Sequence, residues 1–334
     1  MNVLGIEGTA HTFGVGIINE SGGEIKILAD IRKVYAPAEG GINPYFAAEF
    51  MAENADTSIK EALKISGLDI KEIGLITFSQ GPGLGPALRT AATSARILSL
   101  YHGIPLLGVN HCIAHIEIGI HLGNLKKPLI VYVSGGNTQI LIRMENFYRI
   151  FGETMDIGLG NLLDKFGREF GLKHPAGPKV EKLAKNGKNF IDLPYTVKGA
   201  NLCLSGLLTS AVRKKDDKNF NNRIFALDDL CYSLQETAFS MLVEVSERAL
   251  AHLNAKQLLL TGGVGNNKRL QEMLNLMAEE HNAQFFVPVN YCSDNGIMIA
   301  LTGLKMFKAG IRQKFEETMV KQRFRTDKVE ILWD

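Results

Sequence analysis

Cysteine is scarce and scattered in this chain of 334 residues: Cys112, Cys203, Cys231 and Cys292 stand singly, with no pair at zinc-ribbon or redox spacing. No disulfide framework is expected. Long apolar runs are also missing, and none approaches the ~20 residues a membrane helix needs. The opening MNVLGIEG lacks the charged start and apolar stretch of a secretory leader. A cytoplasmic location, with no membrane partner, is the expectation. An excess of one charge is lacking too, since 37 Lys and Arg against 35 Asp and Glu leave a net charge of +2. That balance does not announce a stand-alone nucleic-acid binder. Basic residues gather only at Arg213-Lys214-Lys215 and across Lys321, Arg323, Arg325 and Lys328, which read first as solvated faces. An RNA substrate would need other subunits to share the electrostatic work of holding it.

What the chain does have is enough apolar residue, 46% of the total, for two sizeable cores. VLGIEGT at 3 to 9 and FGVGII at 13 to 18 read as two strands around a short polar turn. LIVYVS and TQILI repeat that pattern at 129 to 142, around Gly135-Gly136-Asn137. Two similar hairpins imply an internal duplication. Helices are predicted around 46 to 66, 87 to 102, 160 to 187, 229 to 253 and 267 to 281, with a last one over IMIALTGLKMF. Between them fall the strands LITFS, LLGV, QLLLT and FFVPV. Alternating strands and helices give an α/β fold in two lobes with a cleft between them. The lobes are expected at 1–110, completed by 304–334, and at 111–303.

His111 and His115 stand four apart, which on a helix puts both on one face, as a shared metal ion requires. Zinc proteases place a glutamate base directly after the first histidine of such a pair, whereas here Cys112 follows His111. The alternative is two capping or core histidines. Glycines after Ser134 allow close backbone approach to an anionic oxygen, although the same turn also suits a plain hairpin. Gly262-Gly263-Val264-Gly265-Asn266-Asn267 leads from a strand into a helix start, where a ligand or an asparagine cap would fit. Asp294 can be a cap or the oxygen ligand that completes a metal site with the histidines. GPGLGP at 81 to 86 carries no reactive side chain and reads as a packing scaffold. Glu7, Asp164, Lys165 and Glu181 need partners if buried.

In combination, GIEGTAHT at 5 to 12, SQGPGLGPALR at 79 to 89, GVNHCIAHIEIG at 108 to 119, YVSGGNTQ at 132 to 139, DLPYTVKG at 192 to 199, GGVGNN and SDNGIMIA closely resemble the tRNA threonylcarbamoyladenosine-forming family, in its archaeal and eukaryotic branch. The resemblance runs through RFRTDKVEILW and so covers essentially the whole chain. It implies the two-lobed fold of actin, sugar kinases and Hsp70, with duplicated lobes around a nucleotide cleft. It also implies transfer of a threonylcarbamoyl group from threonylcarbamoyl-adenylate to N6 of adenosine 37 in ANN-decoding tRNA, as the catalytic subunit of the KEOPS complex. By motif, His111, His115, Asp294 and Tyr132 would bind one metal, iron or zinc. ATP or the adenylate would meet Tyr132, Ser134, Gly135, Gly136, Asp164, Gly177, Glu181 and Asn267. His111 and His115 would act in catalysis with Glu7, the last as a general base or water organiser.

The implied partners are a kinase-like ATPase, a dimerising subunit and a tRNA-binding subunit. The chain stops at Asp334, so the kinase is expected as a separate polypeptide. Two departures from the family pattern stand out. Ala47-Ala48-Glu49 is followed by Phe50-Met51 where paired histidines are common, and His174-Pro175-Ala176-Gly177-Pro178 stands for Phe-Pro-Gly-Gly-Pro. A metallopeptidase and a non-catalytic ATP-binding scaffold are the rival functions.

Overall fold

The computed structural model describes residues 1–37, 40–217, 220 and 226–333. In the first half, β1 (Asn2–Glu7), β2 (Thr12–Ser21), β3 (Glu24–Val34), β4 (Ile73–Gly81) and β5 (Leu106–Asn110) form a sheet in the order β3-β2-β1-β4-β5. Helices α1 (Pro44–Ser66) and α2 (Gly85–His102) connect β3 to β4 and β4 to β5. After α3 (His111–Gly123) come β6 (Leu129–Val133), β7 (Thr138–Met144) and β8 (Phe147–Glu153). Next are α4 (Leu159–Glu169), α5 (Gly177–Ala184), the short pair β9 (Val197–Lys198) and β10 (Asn201–Leu202), α6 (Ser205–Arg213) and α7 (Leu227–Leu253). β11 (Gln257–Thr261), α8 (Lys268–Glu280), β12 (Gln284–Phe286) and α9 (Gly296–Lys308) close the series.

The second large sheet runs β12-β11-β6-β7-β8. Read from its other edge, it repeats the first sheet strand for strand. β1 is antiparallel to β2 and parallel to β4; β6 is antiparallel to β7 and parallel to β11. The duplicated, two-lobed α/β architecture expected from the paired hairpins is therefore present. The third strand of each large sheet, β3 and β8, and the short pair β9 and β10 have no counterpart among the expected strands. β3 and β8 are edge strands with a mixed burial pattern, which weakens the apolar alternation that marks a strand. FFVPV forms a strand only over Gln284–Phe286 before the chain turns at Pro288.

The helices that follow the last strand of each sheet lie together between the sheets. α9 packs on β1 and β2, where Gly5 and Gly16 leave no room for anything larger: a Cβ on Gly5 would lie 2.2 Å from the Gly296 carbonyl oxygen, and one on Gly16 2.4 Å from the Ile297 nitrogen. Ala114 and Ile118 of α3 join one cluster with Ile297, Ile299 and Leu301 of α9, while Cys112, Ile113 and Ile116 join another with Ile130, Tyr132 and Leu259 of the second sheet. A helix buried on both flanks must be apolar almost all round, which is why HCIAHIEIGI shows no polar face. The exceptions are Glu117, which is paired with Lys305 at 2.8 Å and accepts from the Tyr148 hydroxyl at 3.0 Å, and His111 and His115, which call for an explanation.

The GPGLGP loop does pack closely. A Cβ on Gly81 would strike the Lys321 carbonyl oxygen at 1.9 Å, and Gly83 sits against Thr9. The final segment is tied alongside, with Gln80 Nε2 donating to the carbonyls of Glu317 and Met319 and Asn110 Nδ2 donating to that of Phe324. It then reaches β8, where the Ile331 N–H donates to the Asn146 carbonyl.

Candidate metal and nucleotide site

Two helix starts make the centre of the cleft. Asn110 caps α3 through the Ile113 N–H, and Asn295 caps α9 through the Met298 N–H. His111 is the first residue of α3, His115 lies one turn on, and Asp294 immediately precedes the cap of α9. Cap and ligand roles thus fall on neighbouring residues: Asn295 takes the cap and Asp294 is free for the cleft. His115 Nε2 lies 3.2 Å and His111 Nε2 3.6 Å from Asp294 Oδ1. One ligand atom from each of the three residues falls within 4.8 Å of the others, a group able to hold a metal ion. Two imidazoles and one carboxylate suit iron or zinc better than magnesium or calcium, which prefer all-oxygen sites.

Glu7 backs this group. It is fully buried at the end of β1, with Oε2 3.0 Å from His111 Nδ1 and Oε1 accepting from the Thr9 hydroxyl at 2.6 Å and the Thr9 N–H at 2.8 Å. A carboxylate behind an imidazole fixes its tautomer and aims the other nitrogen. Burial opposes a charge on His111, but the Glu7 and Asp294 carboxylates outweigh it and raise the imidazole to about 9. Burial dominates at His115 and lowers it. Asp294 is held below the usual carboxylate range: burial opposes the shift, and the hydrogen bond from His115 and the charge of His111 overcome it.

Tyr132, the penultimate residue of β6, has its ring 5.6 Å from that of His115. Its hydroxyl and His115 Nδ1 are buried without a hydrogen-bond partner among the described residues. Orphaned polar atoms beside two histidines and a carboxylate fit a site that a cation completes. Burial pushes the Tyr132 phenol well above its ordinary range. Cys112, raised to about 11 by burial, packs into the core under Tyr132 and offers no nucleophile or base.

The second hairpin turn flanks the centre. Ser134 N–H donates to the Asn137 carbonyl, and Gly135 and Gly136 are exposed. The start of α4 supports the turn from behind: the N–H groups of Gly160 and Asn161 donate to the carbonyls of Ser134 and Gly135. A Cβ on Gly158 would lie 2.4 Å from the Gly135 carbonyl oxygen. Close packing behind the turn leaves its front face to the cleft.

Asp164, Gly177 and Glu181 lie on α4 and α5. Asp164 Oδ1 accepts from the Ala176 N–H at 2.7 Å, and burial is overcome by this and by His174, lowering its carboxyl. Glu181 Oε1 accepts from the Lys268 N–H at 3.0 Å, so the protein's own carboxylate occupies the start of α8. Asn267 is the cap of that helix: Oδ1 accepts from the Leu270 N–H and Nδ2 donates to Gln235 Oε1. Both ends of its amide are engaged inside the protein. Gly262 adopts φ +91° where its backbone passes Val133, a conformation and a closeness that only glycine tolerates. Sequence reasoning missed His11, whose ring stands 5.7 Å from that of His174. Its position in a polar turn carried no periodic signal.

Fold and site together define a two-lobed enzyme of the actin, sugar-kinase and Hsp70 type, with a histidine and carboxylate centre in the cleft. Solved structures share the fold. HypF of Thermococcus kodakarensis aligns with a TM-score of 0.63 at 15% identity, over 95% of this chain and 49% of that one, so the chain spans about half of that protein. The activator of 2-hydroxyisocaproyl-CoA dehydratase from Clostridium difficile aligns at 0.52 and 11%, over 94% and 99%.

The chain belongs to the tRNA N6-adenosine threonylcarbamoyltransferase family, whose model matches residues 26–301. A protein of that name from Thermococcus sibiricus is 53% identical over 334 residues, the whole of both chains. Another from Thermococcus kodakarensis is 51% identical over 335 residues, again the whole of both. The enzyme is thus an acyltransferase that forms threonylcarbamoyladenosine in tRNA. No helix among the described residues is long and apolar enough to cross a membrane.

Proposed function

We propose that the cleft binds threonylcarbamoyl-adenylate with its acyl group at the His111–His115–Asp294 centre and its nucleotide toward the second hairpin turn. The observation that carries this reading is the convergence of three ligating side chains from two separate helix starts beside an exposed glycine turn. His111, His115 and Asp294, with Tyr132 as a further ligand, would hold one metal ion, iron or zinc. Such an ion supplies Lewis acidity toward the oxygens of the mixed anhydride.

The chain's own residues prepare the rest. Ser134, Gly135 and Gly136 offer backbone and hydroxyl donors to the adenylate; Asp164, Gly177, Glu181 and Asn267 bound the nucleoside side, and ATP can occupy the same place. Glu7 serves through His111, since both of its oxygens are engaged by Thr9 and that imidazole. Attack by the adenine amine expels AMP without a covalent protein intermediate. We assign the lobes to 1–110 with 304–334 and to 111–303.

The tRNA would approach past the ribbon of Lys321, Arg323, Arg325 and Lys328, all exposed, which is tied to Asn110 beside His111. A kinase-like ATPase, a dimerising subunit and a tRNA-binding subunit complete the working assembly, the KEOPS complex. Incubation with tRNA, threonylcarbamoyl-adenylate and these subunits tests the reading. Product from the wild type and its loss in His111→Ala, with tRNA binding retained, supports it; peptide cleavage without nucleotide, or ATP binding with no transfer, contradicts it.

A further inference from the structure

His11 and His174 take no part in the metal-binding group, yet they meet across the cleft. His11 closes the turn between β1 and β2, and His174 lies in the loop between α4 and α5. Their rings stand edge to face with centroids 5.7 Å apart. His174 is held from behind, its Nδ1 3.4 Å from Asp164 Oδ2, while the other oxygen of Asp164 is fixed by the Ala176 N–H. His174 Nε2 and His11 Nδ1 are left buried with no hydrogen-bond partner among the described residues. A buried polar atom without a partner is costly, so two of them on neighbouring rings mark a place where a ligand's atoms belong. The position is next to the centre: the turn that His11 closes also carries Thr9, whose hydroxyl is 3.5 Å from His111 Nδ1.

We infer that His11 and His174 bind the phosphoryl oxygens of the nucleotide donor, one imidazole from each half of the molecule. The inference rests on the nucleotide reading given above. An imidazole held at Nδ1 by a carboxylate donates from its second nitrogen when the ring carries both hydrogens, and an anion bound there makes that bond charge-assisted. A phosphoryl oxygen bound at the two rings gives both nitrogens a partner. It also links the first hairpin turn to the α4–α5 loop, so that binding draws the two halves onto the donor.

AMP and adenosine separate this role from recognition of the nucleoside, because they differ only in the phosphate. Calorimetric titration of both into the full chain is the test, in wild type, His11→Ala and His174→Ala, with thermal melting as the check on folding. The expected result is AMP affinity lower by roughly tenfold or more in each variant, the range of a charge-assisted hydrogen bond, with adenosine affinity unchanged. His11→Ala carries the decision if His174→Ala melts early, since it leaves Asp164 untouched. Equal weakening of AMP and adenosine, or no weakening of AMP, overturns the inference and leaves the nucleotide reading standing. A wild type that binds neither compound overturns both.

Discussion

The two hairpin turns occupy equivalent places in equivalent sheets, yet one is filled and the other open. In the first, between β1 and β2, Glu7 is buried against Thr9 and His111, and a Cβ on Gly8 would lie 2.8 Å from that of Ala91. In the second, between β6 and β7, Gly135 and Gly136 are exposed, and a Cβ on Gly136 would meet nothing within 4 Å. Duplication supplied two identical frames, and side-chain chemistry divided the work between them. The first turn fixes His111 through Glu7; the second stands open to the cleft. The helices that follow the sheets split in the same way, α3 bringing two imidazoles and α9 one carboxylate, each beside an asparagine cap.

The largest expected effects test the centre itself. His115→Ala or Asp294→Ala should abolish metal retention and lower tRNA modification by more than about 100-fold, beyond the 10–100-fold typical of residues behind the ligands. Metal analysis and a transfer assay on the same preparations check this. Glu7→Gln keeps the shape of the first turn but weakens its hold on His111. Metal affinity is expected to fall by about 10–100-fold, measured by competition with a chelator.

The contrast between the turns can be broken directly with one substitution in each. Gly8→Ala should destabilise the protein by about 1–3 kcal/mol in denaturant unfolding, because Ala91 is fixed on α2 and cannot swing aside. Gly136→Ala should stay within about 0.5 kcal/mol of wild type in that assay. Its effect should appear instead as weaker adenylate binding, so loss of stability at Gly136 would erase the distinction between a structural and a receiving turn.

A carboxylate of the second half sharpens the point from another side. Asp229, at the start of α7, accepts N–H groups from Lys188, Asn189 and Ala226; burial opposes ionisation, and these donors override it, lowering the carboxyl to about 2. Its folded pKa lies below the unfolded value of about 3.9. The stabilisation it provides is therefore present above about pH 4 and is lost as pH falls through about 2. Asp229→Asn should cost about 2 kcal/mol at neutral pH and flatten this limb of the acid unfolding curve.

Much of this was legible in the sequence. The hairpins at 3–18 and 129–142 foretold the duplication, and the spacing of His111 and His115 foretold a shared face. Asp294, 179 residues beyond His115, could be read from sequence as a cap or a ligand, and spacing could not decide, because the packing of α9 on Gly5 and Gly16 is what brings it to the histidines. The edge strands β3 and β8 escaped because half-solvated strands carry weak alternation. Glu181 was named as a candidate contact, but its place at the start of α8 was not legible, because a helix terminus shows in sequence and the side chain that occupies it does not. His11 was hidden for a related reason: nothing local marks a histidine whose counterpart is His174 in the other half.

We propose that two helix starts, one after the last strand of each sheet, share a single metal ion. The direct measurement is metal content per chain after desalting, for wild type, His115→Ala and Asp294→Ala loaded with iron or zinc, with folding checked by thermal melting. One ion per wild-type chain, and its loss from both folded variants, is the expected result. Full metal content in folded Asp294→Ala would place the ion on α3 alone and contradict the account.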